Sequence, residues 1–185
     1  MKNLLFILLS VTLLAACQSS SDELASPSAS TQIVQRSTRA FHANLTGTID
    51  PTSAPTPCSN TGGTLAVLDY FISGNATHLG LLNATLSTLH HDDCDLNGET
   101  LNLSTSVTGQ LVGVNGDMIT YTGADVINVF NFLTNSGSTG PFTGTWTITG
   151  GTGRYAGATG SFTLNGIVDF TTLGFTVVAD GTISY

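Results

Sequence analysis

The segment "HHDDCDLNGET", His90 to Thr100, is the densest cluster of ligand-type side chains in the sequence. Asp93, Asp95, Asn97 and Gly98 reproduce the opening of a D-x-D-x-N-G calcium loop, where oxygens converge on a hard cation and glycine permits the sharp turn. The bidentate Glu that such a loop needs at its far end is replaced by Ser104. Asp92 or Glu99 would have to supply a further oxygen. The competing reading is a solvated acidic turn stapled by Cys94. His90 and His91 are adjacent, so on a strand they point to opposite faces and cannot chelate one ion together. A zinc site would need a further His or Asp, and no spaced zinc motif provides one. Calcium is therefore the one ion this sequence suggests, and no organic cofactor is expected.

Two single residues are candidates for proton chemistry. Asp125 shares the two-residue register of Ile119, Tyr121, Ile127 and Val129. Facing inward, its carboxyl would sit in apolar surroundings, its pKa would rise, and it would suit general acid or base work. The preferred reading is different: a shift of register at Gly123 that leaves Asp125 exposed. His78, in "GNATHLG", is expected to hydrogen-bond a turn, with a catalytic role as the alternative. Asp69 and Asp169 are further carboxylates for a barrel mouth.

"GGTGRYAGATG", Gly150 to Gly160, raises the question of phosphate binding. "GTGRYA" satisfies G-x-G-x-x-G/A and follows a strand. That motif works only when a helix comes next, because the helix N-terminus holds the pyrophosphate. Here "TGSFTLNGIVDF" follows, which alternates like a strand. A Walker loop would need Lys before Ser or Thr, and the segment has no Lys. Arg154 is expected to pack its stem on Tyr155 or to bind backbone carbonyls.

These residues need elements to position them, and the period from Arg39 onward is two. In "FTGTWTITG", Phe142, Gly144, Trp146 and Ile148 fall on one face and Thr143, Thr145, Thr147 and Thr149 on the other, the pattern of a half-buried strand. The spacing predicts eight strands, near 39–49, 64–73, 79–90, 99–114, 117–132, 141–150, 160–170 and 174–185, and no convincing helix after residue 17. Asn165-Gly166 has hairpin residues, but the apolar register passes through it, so one continuous strand is expected there. Gly47, Gly109, Gly144, Gly166 and Gly181 all occupy the apolar register. Glycine there permits bending or close approach, which favours a coiled barrel over a flat sandwich. The predicted fold is all-β: an eight-stranded antiparallel up-and-down β-barrel. Such a barrel is filled by side chains or holds one small ligand. The inward glycines would leave room beside Trp146, Tyr121 and Phe162, the possible lining of an apolar pocket. In this topology the loops after odd-numbered strands share one end. Cys58 and Cys94 can therefore meet, and a disulfide between them is expected, with two free thiols as the alternative.

The N-terminus carries an address. "MKNLLFILLSVTLLAAC" has one positive residue, an apolar run and then small residues, the pattern of a secretory signal. Its ending, Leu14-Ala15-Ala16-Cys17, resembles the lipobox of bacterial lipoproteins. The resemblance implies cleavage before Cys17, a diacylglyceryl thioether on its sulfur and usually an acylated amine. Palmitate-type chains of this kind anchor stably because each buried CH₂ adds about 0.8 kcal/mol. Gln18 stands where an Asp would signal inner-membrane retention, so an exported cell-envelope lipoprotein is expected, at the outer membrane if the cell is Gram-negative. The expected domains are a signal peptide over 1–16, the lipidated Cys17 with a Ser-rich linker over 17–38, and the barrel over 39–185. Losing Lys2 takes one positive charge from a formal net of -8, leaving -9, with Arg36, Arg39 and Arg154 as the remaining basic residues. So acidic a chain lacks the cationic contacts that nucleic acid or anionic headgroups demand. No motif specifies an oligomeric state.

"GGTGRYAGATGSF", "GNATHLG" and the terminal "GTISY" together resemble the allene oxide cyclase and dirigent barrels and their bacterial relatives. The resemblance implies the same eight-stranded barrel. It does not carry catalysis across, because dirigent barrels have a basic residue just after the glycine loop and this chain reads Ala158-Thr159-Gly160. The expected function is a lipid-anchored, non-enzymatic scaffold or a binder of a small apolar ligand. The alternatives are a cyclase- or dirigent-like isomerase and a calcium-stabilised adhesion module.

Overall fold

The computed structural model describes residues 36–185. The signal peptide, Cys17 and all but the end of the linker lie outside the described residues. Eight long strands form the barrel: β1 (Thr38–Ile49), β2 (Tyr70–Ala76), β3 (Thr88–His91), β4 (Asn102–Val112), β5 (Met118–Asn128), β6 (Thr139–Thr152), β7 (Thr159–Asp169) and β8 (Gly174–Ser184). Each pairs antiparallel with its sequence neighbours. β1 then pairs with β8 from Thr38↔Ser184 to Gly47↔Phe175. Its other edge pairs with β2 from Ala43↔Ala76 to Ile49↔Tyr70. Both edges of β1 are thus occupied, and the sheet closes into the predicted up-and-down barrel.

Alternation drives this closure. In β1, Phe41, Ala43 and Leu45 are buried while His42, Asn44 and Thr46 face water. β7 runs unbroken through Asn165-Gly166, with Phe162, Leu164 and Val168 inside. The inward glycines serve a different end from the one expected. A Cβ at Gly47 would strike the ring of Phe175, one at Gly109 the phenol of Tyr121, and one at Gly181 would crowd Phe162. Each large side chain therefore lies across a neighbour's missing one. The space is filled rather than left open.

Three strands depart from the pattern. The predicted 64–73 begins only at Tyr70, because Ala66–Val67 pairs instead with Thr56–Pro57 in a separate hairpin. The predicted 79–90 shrinks to Thr88–His91. His78 and Gly80 take positive φ, and Gly80–Leu81 folds back onto Asn75–Ala76. The predicted 117–132 stops at Asn128, whose Oδ1 accepts the Phe130 N–H. A single helical turn, Phe130–Leu133, follows.

The loops after β1 (50–69) and β3 (92–101) lie at the same end, and Cys58 and Cys94 form the expected disulfide, Cα to Cα 4.4 Å across 36 residues. The Ser59 N–H donates to the Cys94 carbonyl at 2.8 Å, so the two loops are joined by backbone as well. The Cys58→Ser/Cys94→Ser pair should keep the barrel but lose roughly 3–4 kcal/mol. Thermal melts should register a fall of about 10 °C; an unchanged Tm would mean the loops need no staple.

Candidate functional site

Among the described residues, Asp125 is the one carboxylate drawn fully inside the barrel. β5 keeps unbroken register through Gly123 against both β4 and β6, so the expected shift and the exposed Asp125 do not occur. The irregularity falls on β6 instead, between Ile148 and Gly150. Gly123 is needed in register: a Cβ there would come within 2.6 Å of Trp146 Cδ1. Gly144, opposite Asp125 on β6, is needed as well, since a Cβ there would overlap Asp125 Oδ1.

The Trp146 indole N–H donates to Asp125 Oδ1 at 2.8 Å. The indole also stacks on Tyr121, with centroids 4.1 Å apart and planes 3° from parallel. The Tyr121 hydroxyl donates to the Thr88 carbonyl. Phe162 packs edge-on against the indole at 5.7 Å and stacks on Phe41 at 4.7 Å. Trp146, Tyr121 and Phe162 are therefore neighbours, as expected, but they form a packed core and do not line an open pocket. Thr105 stands opposite Asp125 on β4, and neither Thr105 Oγ1 nor Asp125 Oδ2 has a hydrogen-bond partner.

His91 is also buried, and neither ring nitrogen reaches a hydrogen-bond partner. A residual void of about 10 Å³ beside it, bordered by Tyr70, Leu89 and Phe142, is room for about one water. The burial of Thr105 and His91 is not marked in the sequence, because a Thr among alternating Thr and one His of a pair look like surface residues. A strict count of the inward register would have found both.

Electrostatics follow from burial. Desolvation pushes the Asp125 carboxyl up to about 7, against the opposing hydrogen bond from Trp146. Burial, reinforced by the Asp125 charge, raises the Tyr121 phenol. Burial lifts the Tyr70 phenol to about 12. Burial depresses the His91 imidazole, and the Leu68 backbone, Asp69 and Asp92 offset this only in part. The site is a carboxylic acid able to gain or lose a proton near neutrality, with aromatic walls on one side.

The other candidates lie apart from it. His78 stands at the opposite end of the barrel, where its Nε2 donates to the Ala40 carbonyl at 2.9 Å. Arg154 does both things expected of it: the guanidinium lies 5.1 Å from the Tyr155 ring centroid and donates to the His78 carbonyl. It also pairs with Asp117 at 2.9 Å. In the acidic loop, Asp93 Oδ1 accepts the Ser106 N–H, and Asp95 Oδ1 accepts from Ser59 and Asn60. Asn97 Oδ1 caps the N–H groups of Glu99 and Thr100, and the Glu99 side chain is exposed. Among the described residues no three His, Cys, Asp or Glu side chains stand together as a cation would require. His90 points outward to Asp69 while His91 points in, as adjacent strand residues must.

The strands follow one another in sequence order around the sheet, β1 closes on β8, and the glycine-rich loop joins β6 to β7. The fold is a closed eight-stranded antiparallel barrel. No protein-family model and no curated protein matches the chain. Among solved structures, a pterocarpan synthase dirigent protein is similar at 16% identity and a TM-score of 0.46, over 93% of this chain and 99% of that one. That likeness concerns architecture alone.

The titration of Asp125 has a definite sign. Its folded pKa lies above the unfolded 3.8, so its contribution to stability is fully present below about pH 4 and is lost as pH rises through about 7. His91 acts in reverse: its folded pKa lies below 6.5, so stability falls as pH drops through that value. Between pH 5 and 8.5, the wild type should lose roughly 2–3 kcal/mol through Asp125 alone, and Asp125→Asn should remove that slope in denaturant titrations. Trp146 is the only tryptophan in the chain, so its emission should show a transition near pH 7 that Asp125→Asn abolishes. Flat emission from pH 5 to 9 in the wild type would refute the burial of this carboxyl.

Proposed function

We propose that the chain is an exported lipoprotein, anchored through Cys17, whose barrel is a structural scaffold of the cell envelope rather than an enzyme. One observation carries this reading: the barrel interior is occupied by its own aromatic side chains. Phe41, Tyr121, Phe142, Trp146, Phe162 and Phe175 are buried there, Tyr121, Trp146, Phe162 and Phe175 of them against neighbouring glycines, and the residual void is about the size of one water. A small apolar ligand finds better room outside, in a groove of about 380 Å³ that includes Ile49, Ile167 and Phe175. The acidic loop supports the calcium-stabilised adhesion reading less well, since Asp93 and Asp95 already hold the loop by hydrogen bonds.

A second reading, the cyclase- or dirigent-like isomerase, draws on Asp125. An acid poised near neutrality with one unpartnered oxygen is what proton transfer within a barrel requires. It demands that the aromatic packing open to admit a substrate. The scaffold reading needs no such opening.

Two measurements test the proposal. Wild-type protein should fractionate with membranes and carry a diacylglyceryl mass on Cys17, while Cys17→Ser should leave the membrane fraction. Retention of Cys17→Ser in the membranes would overturn the anchor. Native mass spectrometry of protein purified from its own envelope should show the chain without a stoichiometric small molecule. A bound organic species whose release alters Trp146 emission would overturn the scaffold reading in favour of the isomerase.

A further inference from the structure

The net charge averages over a molecule whose charges are segregated along the barrel axis. One end carries the loops 50–69 and 92–101, with Asp50, Asp69, Asp92, Asp93, Asp95 and Glu99. The other end carries the start of β1, the end of β8 and the loops 77–87, 113–117 and 153–158. All three arginines of the described residues are there. Arg36 donates to the Gly157 carbonyl, Arg39 donates to the Tyr185 hydroxyl at 3.1 Å, and Arg154 binds the His78 carbonyl and Asp117. Asp117 is the acidic side chain of that end, with Asp180 on the outer wall paired to His42.

The same end shows apolar tips. Leu81 is 58% exposed, Val114 63% and Leu86 50%. The Val114 N–H donates to the Leu81 carbonyl at 3.0 Å, so two of these tips stand side by side. Arg154 ties together the loops that bear them, through Asp117 on one and His78 on the other. Apolar side chains and arginines at one end are the composition of a surface that rests at the headgroup and acyl boundary, where apolar groups enter and guanidinium groups meet phosphate.

We propose that this arginine-bearing end is the face the barrel lays on a phospholipid bilayer, with Leu81, Leu86 and Val114 as its contacts and the acidic end turned away. The proposal rests on the lipid anchor at Cys17. The chain enters the described structure at Arg36, nineteen residues after Cys17 and at this end, so an anchor pulls on the arginine pole. The net charge argues against anionic headgroups, but its segregation chooses the same way: an anionic membrane surface attracts the arginine pole and repels the acids opposite, Asp169 among them. The acidic end also shows exposed apolar groups, Phe130, Phe132 and Leu173 among them, but it is the pole that charge turns away. Three partly exposed side chains bind a bilayer weakly alone. The anchor makes the contact intramolecular and raises its effective concentration.

The test uses the full-length lipidated protein in phosphatidylglycerol–phosphatidylcholine vesicles with brominated acyl chains. An environment-sensitive fluorophore is attached in separate variants, Leu81→Cys, Val114→Cys and, at the acidic end, Leu173→Cys. Cys58 and Cys94 are in a disulfide and Cys17 is acylated, so each variant takes one label. Labels at positions 81 and 114 should shift to the blue and be quenched at least about twofold, with the label at position 173 unaffected. Quenching at 173 but not at 81 and 114 would reverse the orientation and overturn the proposal. Labels at 81 and 114 that shift to the blue in native envelopes yet escape bromolipid would point to a protein partner, and would also overturn it. Vesicle flotation separates the two readings: protein that floats unquenched refutes the orientation alone, and protein that does not float refutes the anchor and the orientation with it.

Discussion

Everything in this molecule depends on the fit of large inward side chains over glycines of the adjacent strand. A barrel of eight strands has an interior only as wide as its side chains can fill. Here Phe175 lies over Gly47, Trp146 over Gly123 and Phe162 over Gly181. Without those missing Cβ atoms the aromatic rings could not enter, and without the rings the interior would be void. The complementarity also decides what the interior can do. It holds the sheet closed and leaves Asp125 in an aromatic setting, with the indole of Trp146 as its one hydrogen-bond partner.

The barrel was legible because its evidence is periodic. Alternation in β1, β6, β7 and β8 gave faces, and faces gave closure. The disulfide followed from topology, since loops after odd-numbered strands share an end. What failed was local. The segment 79–90 reads as a strand in composition, yet positive φ at His78 and Gly80 turns the chain back on itself. The helical turn at Phe130–Leu133 depends on one side-chain oxygen of Asn128, which no two-residue period records.

The site was harder to read for a related reason. A glycine in an inward register is compatible with an open pocket, a bend or a large neighbour, and the sequence alone does not say which. A shift of register at Gly123 would have left Asp125 exposed and spared the cost of burying its carboxyl. The structure meets that cost with an indole hydrogen bond and a raised pKa, and keeps the register intact. The partner on β6, Trp146, stands 21 residues away, and only the pairing of β5 with β6 brings the two together.

The seam between the first and last strands has a consequence for biogenesis. Thr38 bonds Ser184 across 146 residues of intervening chain, and β1 has only β2 for company until β8 arrives. Closure so late in the sequence keeps the emerging polypeptide from locking prematurely, and contacts this distant form slowly. The last strand is thus the latch: the earlier seven stay an open, pliable sheet until β8 is there to join its two edges.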